Sequence, residues 1–108
     1  VTESHSLRHV PRLDFVETWY MATPAFYYAY VLLSEKDHKF YIGSTSDLKK
    51  RIEKHRNGLV NATRNRLPVV LIFYEAYLNK YDAIRREDYF KTTKGKRTLR
   101  NILKEYLS

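Results

Sequence analysis

Tyr30, Tyr41, Arg51, His55 and Glu87 follow one another along the chain at separations that allow them to meet. Phenols and an imidazole can move protons, a guanidinium grips phosphate oxygens, and a carboxylate can hold a divalent cation. Together these residue types can hydrolyse a phosphodiester bond. The chain around them is basic enough to attract one. Its 108 residues carry a formal net charge of +8, with an isoelectric point near 9.7. Residues 1–25 hold Arg8 and Arg12 against Glu3, Asp14 and Glu17, so the positive charge belongs to the body. Such a balance favours a polyanionic partner, though a soluble protein with solvated lysines has it too.

The length fits one domain with a modest core, so any reacting group must lie in a shallow cleft or on an open sheet face. There is no cysteine, which excludes disulfides and Cys-based zinc sites and fits a reducing, cytoplasmic setting. The longest apolar run, Ala25–Leu33, has nine residues, too few to span a bilayer as a helix. No membrane partner is expected.

The elements that must position these side chains read as β-β-α-β-α-α. Residues 1–24 have no sustained period and read as a poorly ordered extension; a start at Met21 would still give a compact domain. The domain proper is placed at 25–104, with its last helix running to about 107. Phe26–Leu33 and Lys39–Gly43 read as an antiparallel hairpin. Ser44–Asp47 caps a helix ended by Asn57-Gly58, with Leu48, Ile52 and His55 on its inward face. A polar loop, Leu59–Leu67, leads through Pro68 into Val69–Tyr77, the longest strand, read as central or nearly so. A helix from about Tyr81 to Lys91, a basic turn around Gly95, and a helix from about Arg97 to Leu107 complete the chain. Leu99, Ile102, Leu103 and Tyr106 share one side of that last helix. The fold class is α+β, a small three-stranded antiparallel sheet flanked by helices.

If Ser34 faces Lys39 across the hairpin, Leu32 faces Tyr41 and Tyr30 faces Gly43. Tyr30 and Tyr41 then share a face as diagonal neighbours. Gly43, with no side chain, is expected to leave open space above the Tyr30 hydroxyl for a phosphate. Two half-buried sheet tyrosines beside a turn glycine fit the same spacing. Arg51 and His55 stack one turn apart, among Lys49, Lys50, Lys54 and Arg56. His55 alone is equally readable as a core histidine. Glu87 shares an inward stripe with Ala83 and Phe90, where a carboxylate needs a partner. Lys91, one turn on, or a nearby arginine could be that partner; so could a metal, since one carboxylate with water and phosphate oxygens makes a normal magnesium site. Lys50, Lys54, Arg64, Arg66, Lys94, Lys96 and Arg97 are candidate DNA contacts.

With these residues in place, the chain resembles a GIY-YIG endonuclease domain, in its small, single-domain, excision-repair-nuclease-like form. The stretches that carry the likeness are Tyr28–Leu32, Phe40–Thr45, Leu48–His55 and Arg85–Lys91, within roughly Ala25 to Lys104. The Gly and Ile of the first motif are replaced by Tyr28 and Ala29. The resemblance implies hydrolysis of DNA dependent on magnesium (Mg2+) or manganese (Mn2+), leaving 5′-phosphate and 3′-hydroxyl ends, in DNA repair or processing. It implies Tyr30 as general base, Tyr41 and His55 as water-positioning or relay groups, Arg51 on the phosphate and Glu87 on the metal. Asn101 is the candidate for a polar residue that the family carries late in the domain. Arg51, the metal and the basic helix are expected to lower the pKa of Tyr30, ordinarily ~10. A protein partner supplying specificity is a further expectation, and a non-catalytic nucleic-acid-binding module or targeting subunit is the alternative.

Overall fold

The computed structural model describes residues 25–108; the N-terminal extension expected at 1–24 lies outside them. Strands β1 (Tyr27–Ser34), β2 (Phe40–Thr45) and β3 (Val69–Tyr77) form one antiparallel sheet in the order β2-β1-β3. Helix α1 (Leu48–Arg56) separates β2 from β3. Helices α2 (Lys80–Lys91), α3 (Thr93–Ile102) and α4 (Lys104–Leu107) follow.

β1 is the central strand, and Ala29, Tyr30, Val31 and Leu32 have no accessible surface. A strand covered on both faces and both edges reads as a continuous apolar run rather than an alternation. β3, read from the sequence as central or nearly so, is an edge. Its length and apolar content suggested the centre, but Tyr74 remains 52% exposed and Glu75 and Tyr77 are only partly covered.

The hairpin has the expected register, with Tyr30 opposite Gly43 and Leu32 opposite Tyr41. Side chains alternate between the two sheet faces. Tyr30, Leu32 and Tyr41 pack with Leu48 and Ile52 of α1 on one face. Val31, Ile42 and Phe40 pack with Phe90 of α2 and Leu99 of α3 on the other. Fully burying a side chain such as Phe90 or Leu99 contributes about 1.5–3 kcal/mol, so α1 holds one face and α2 with α3 the other.

Helix ends follow local chemistry. The Asp47 carboxylate accepts the Lys50 N–H at the start of α1. At its end Gly58 adopts φ +73°, its N–H donates to the His55 carbonyl, and the Leu59 N–H donates to that of Lys54. These are the paired bonds of a Schellman stop. The turn expected at Thr92–Lys96 is a single residue. Thr92 ends α2 and caps α3, its hydroxyl accepting the Gly95 N–H at 2.9 Å. Position 95, inside the first turn of α3, takes glycine because a Cβ there would collide with the Tyr89 carbonyl. The last helix is broken at Leu103, making three C-terminal helices instead of two. Of its expected inward side only Leu99 is fully buried; Ile102 and Tyr106 are exposed.

Candidate active site

β1 and α1 bring the first group together. The Tyr30 hydroxyl lies 3.0 Å from His55 Nε2. Arg51 Nε donates to the same hydroxyl at 3.4 Å. The Tyr41 ring meets the His55 ring edge-on, centroids 5.1 Å apart, and lies 6.3 Å from the Tyr30 ring. On its far side, His55 Nδ1 is 2.7 Å from Thr63 Oγ1. Tyr30, His55 and Thr63 have no accessible surface, while Arg51 and Tyr41 are partly exposed.

Two expectations about Tyr30 are corrected here. The space above its hydroxyl is not open. A Cβ on Gly43 would lie 2.6 Å from the Tyr30 oxygen and 2.7 Å from Cζ, so the phenol itself fills the position the glycine vacates. Nor does Arg51 by itself lower its pKa. Burial pushes it up, the Arg51 hydrogen bond pulls the other way without prevailing, and the fields of Tyr41 and Glu87 add to the rise. His55 is pushed down to about 4, first by burial and then by the Arg51 charge. The imidazole is therefore neutral near pH 7. Arg51 is held in its charged form chiefly by the Tyr30 hydrogen bond, with Tyr41 also contributing.

Glu87 reaches the site from the other face. Ser44, one residue after Gly43 and pointing the opposite way, donates to Glu87 Oε1 at 2.5 Å. Lys91 Nζ pairs with Oε2 at 2.8 Å, and the neighbouring Tyr41 helps to keep that lysine protonated, after Glu87 itself. The site thus wraps around β2, an edge strand. Tyr30, Tyr41, Arg51 and His55 lie on one side; Ser44, Glu87 and Lys91 lie on the other.

The residues present fit a single-carboxylate metal site. Glu87 keeps 17% of its side chain accessible, and each oxygen has one protein partner and a second lone-pair direction. Among the described residues no group of three or more His, Cys, Asp or Glu could enclose a cation. A metal held there would need water and substrate oxygens for its remaining ligands, which suits magnesium better than a metal seeking a full protein cage.

The basic candidates do not form one patch. Lys50 and Lys54 are exposed on α1, and Arg64 in the following loop; Lys94, Lys96 and Arg97 are exposed on α3, across the sheet. Arg66 is committed elsewhere. Its guanidinium donates to Asp37 at 3.0 Å and to the Lys39 and Phe40 carbonyls, stapling the 59–67 loop to the hairpin. Asn101 is exposed on α3 and shares no hydrogen bond with the cluster among the described residues. Sequence reasoning missed Ser44 and Thr63. Strand alternation could have placed Ser44 toward α2; Thr63 sits in an aperiodic loop and gave no signal.

Residues 26–101 match the GIY-YIG catalytic domain. A UPF0213 protein of Lacticaseibacillus paracasei is 43% identical over 72 residues, 66% of this chain and 79% of its own length. UPF0213 protein CPE1444 of Clostridium perfringens is 45% identical over 65 residues, 59% of this chain and 69% of its own. UPF0213 protein YazA of Bacillus subtilis is 44% identical over 57 residues, 52% and 58% respectively. These names specify no reaction. No solved structure matches the chain. No helix of the described residues is long and apolar enough to cross a membrane. With the catalytic-domain match spanning most of the chain, and the motif residues gathered around β2, the protein belongs to the GIY-YIG family of nucleases.

Proposed function

We propose that this protein is a divalent-metal-dependent endonuclease that hydrolyses DNA phosphodiester bonds, with structure-selective or weakly sequence-specific cutting in DNA repair or processing. The observation that carries the reading is the convergence of Tyr30, His55 and Arg51 on one side of a narrow edge strand with Glu87 on the other. Ion pairing or core packing alone gives no reason for a phenol, a neutral imidazole and a guanidinium to share one buried hydrogen-bonded centre.

In this reading Arg51 leaves the Tyr30 hydroxyl for the non-bridging oxygens of the phosphate, which its planar fork suits. That movement uncovers Tyr30. Water then attacks phosphorus; its proton passes to the Tyr30 oxygen as the Tyr30 proton passes to His55 Nε2, and the bond to the 3′ oxygen breaks. Transfer concerted with attack removes the need for a free phenolate, which the raised pKa of Tyr30 disfavours. Neutralising Arg51 with a phosphate also removes one of the two influences that weaken His55 as a base. Glu87 would hold magnesium or manganese, oriented by Ser44. When bound, such a cation stabilises charge on the leaving oxygen. Tyr41 packs against His55 and lines the path of the water.

The test is incubation with labelled duplex, nicked, flapped and branched DNA, in magnesium or in EDTA, beside Glu87→Ala and Tyr30→Phe. Magnesium-dependent cuts lost in both variants are expected. Salt-sensitive binding with no cutting of any substrate would overturn catalysis and leave a binding module or a subunit that targets a partner.

A further inference from the structure

We infer that Thr63 is a positioning residue that fixes His55 in the one tautomer able to accept the Tyr30 proton. The inference rests on the nuclease reading for its catalytic consequence, but its geometry stands on hydrogen-bond directions alone.

Arg51 can only donate, so the Tyr30 oxygen accepts from it. The chain Tyr30–His55–Thr63 can then run in two directions. Either Tyr30 donates to Nε2 and Nδ1–H donates to Thr63, or Thr63 donates to Nδ1 and Nε2–H donates to Tyr30. Among the described residues each direction leaves one hydroxyl hydrogen without a partner, that of Thr63 in the first and of Tyr30 in the second. The phenol, with a pKa of ~10 in the free side chain, is much the more acidic hydroxyl and the stronger donor, and contact with the Arg51 guanidinium strengthens it further. An orphaned strong donor in a fully buried site is the costlier arrangement. The chain therefore runs from Tyr30 to His55 to Thr63. Only this direction leaves Nε2 with a lone pair facing the phenol.

The loop is built to hold Thr63 there. The Thr63 N–H donates to the Val60 carbonyl at 3.1 Å, the Thr63 carbonyl accepts the Arg66 N–H at 2.8 Å, and the Ser34 hydroxyl donates to the Arg66 carbonyl at 2.6 Å. With the Arg66 to Asp37 staple, the loop is anchored on the hairpin beside the site. This accounts for a fully buried threonine in a loop most of whose residues are exposed. The titratable and charged groups that face His55 among the described residues are Tyr30 from β1, Tyr41 from β2 and Arg51 from its own helix.

Long-range proton–nitrogen NMR on the whole chain reads the tautomer directly. Wild type is expected to carry the proton on Nδ1, Thr63→Ser to keep it there, and Thr63→Val to move it toward Nε2. In DNA cleavage, Thr63→Val should lower kcat on the order of 100-fold, within the range for losing an acid–base relay, with KM unchanged and an altered pH profile. Thr63→Ser should restore the rate. A wild-type Nε2–H tautomer, or a Thr63→Val enzyme with unchanged kcat and pH profile, would overturn the inference. If Thr63→Val does not fold, wild type and Thr63→Ser still decide the tautomer. If wild type cuts no DNA, the NMR result still decides the orientation, while the nuclease reading fails separately.

Discussion

Replacing Gly43 with alanine puts a methyl group against the Tyr30 phenol. The new Cβ would lie 2.6 Å from the Tyr30 oxygen, 2.7 Å from Cζ and 3.1 Å from Cε2. Ordinary contact begins at 3.4 Å, so the oxygen is about 0.8 Å too close. Tyr30 has no accessible surface and is held by His55 and Arg51, so its ring cannot swing away without breaking those bonds. Overpacking of this kind costs about 1–3 kcal/mol. In a domain of this size that corresponds to a fall in Tm of roughly 4–8 °C per kcal/mol. Urea unfolding of Gly43→Ala, Tyr30→Phe and the double variant gives the test. Removing the phenolic oxygen deletes the 2.6 Å contact but leaves Cζ at 2.7 Å, so relief is partial. The double variant should be less destabilised than the sum of the singles, by about 0.5–3 kcal/mol. A neutral Gly43→Ala, or strict additivity, would show that the phenol does not occupy the space the glycine leaves.

The low pKa of His55, about 4 against an ordinary 6.5, sets a pH dependence. The unfolded chain takes up the proton first, so stability is fully present above 6.5 and lost as pH falls toward 4, by ~3 kcal/mol in all; urea titrations of wild type and His55→Gln at several pH values should differ by this slope, and parallel curves would refute it. Ser44→Ala should weaken Mn2+ binding measured by electron paramagnetic resonance, about 10–100-fold if it orients the carboxylate, and Lys91→Met should strengthen it by freeing Oε2. Unchanged affinities would mean that neither residue acts on the cation through Glu87. Arg66→Ala should cost only about 1 kcal/mol globally yet speed amide exchange at Thr63 and Arg66. Protection equal to wild type would show that the staple does not hold the loop.

Much of the fold was legible because its signals are local. The Asp47 cap, the Gly58 stop and the hairpin register each follow from a few adjacent residues. What was not legible depended on non-local packing. The tight α2–α3 joint needs the Tyr89 carbonyl to sit where a Cβ of residue 95 would be, which no pattern in Thr92–Lys96 announces. That β1 rather than β3 takes the centre is decided by pairing order, whereas strand length carries no such information. Arg66 looked like its neighbour Arg64, and only the position of Asp37 across the hairpin separates a staple from a free surface charge.

The same limit explains why the sequence left open which sheet face Glu87 approaches. Alternation places Tyr41 and Gly43 on the α1 side and Ser44 on the α2 side. Glu87 therefore lies on the opposite face from the tyrosines, hydrogen-bonded to Ser44 of β2, and acts on Tyr30 through its field alone. That arrangement needs β2 to be an edge and needs a residue without a side chain at position 43. A bulky side chain there would displace the Tyr30 phenol, and a further strand paired outside β2 would wall off the passage between the two faces. Gly43 and the edge position of β2 are thus linked requirements: one lets the phenol fill the space beside the strand, and the other lets Glu87 face the same edge.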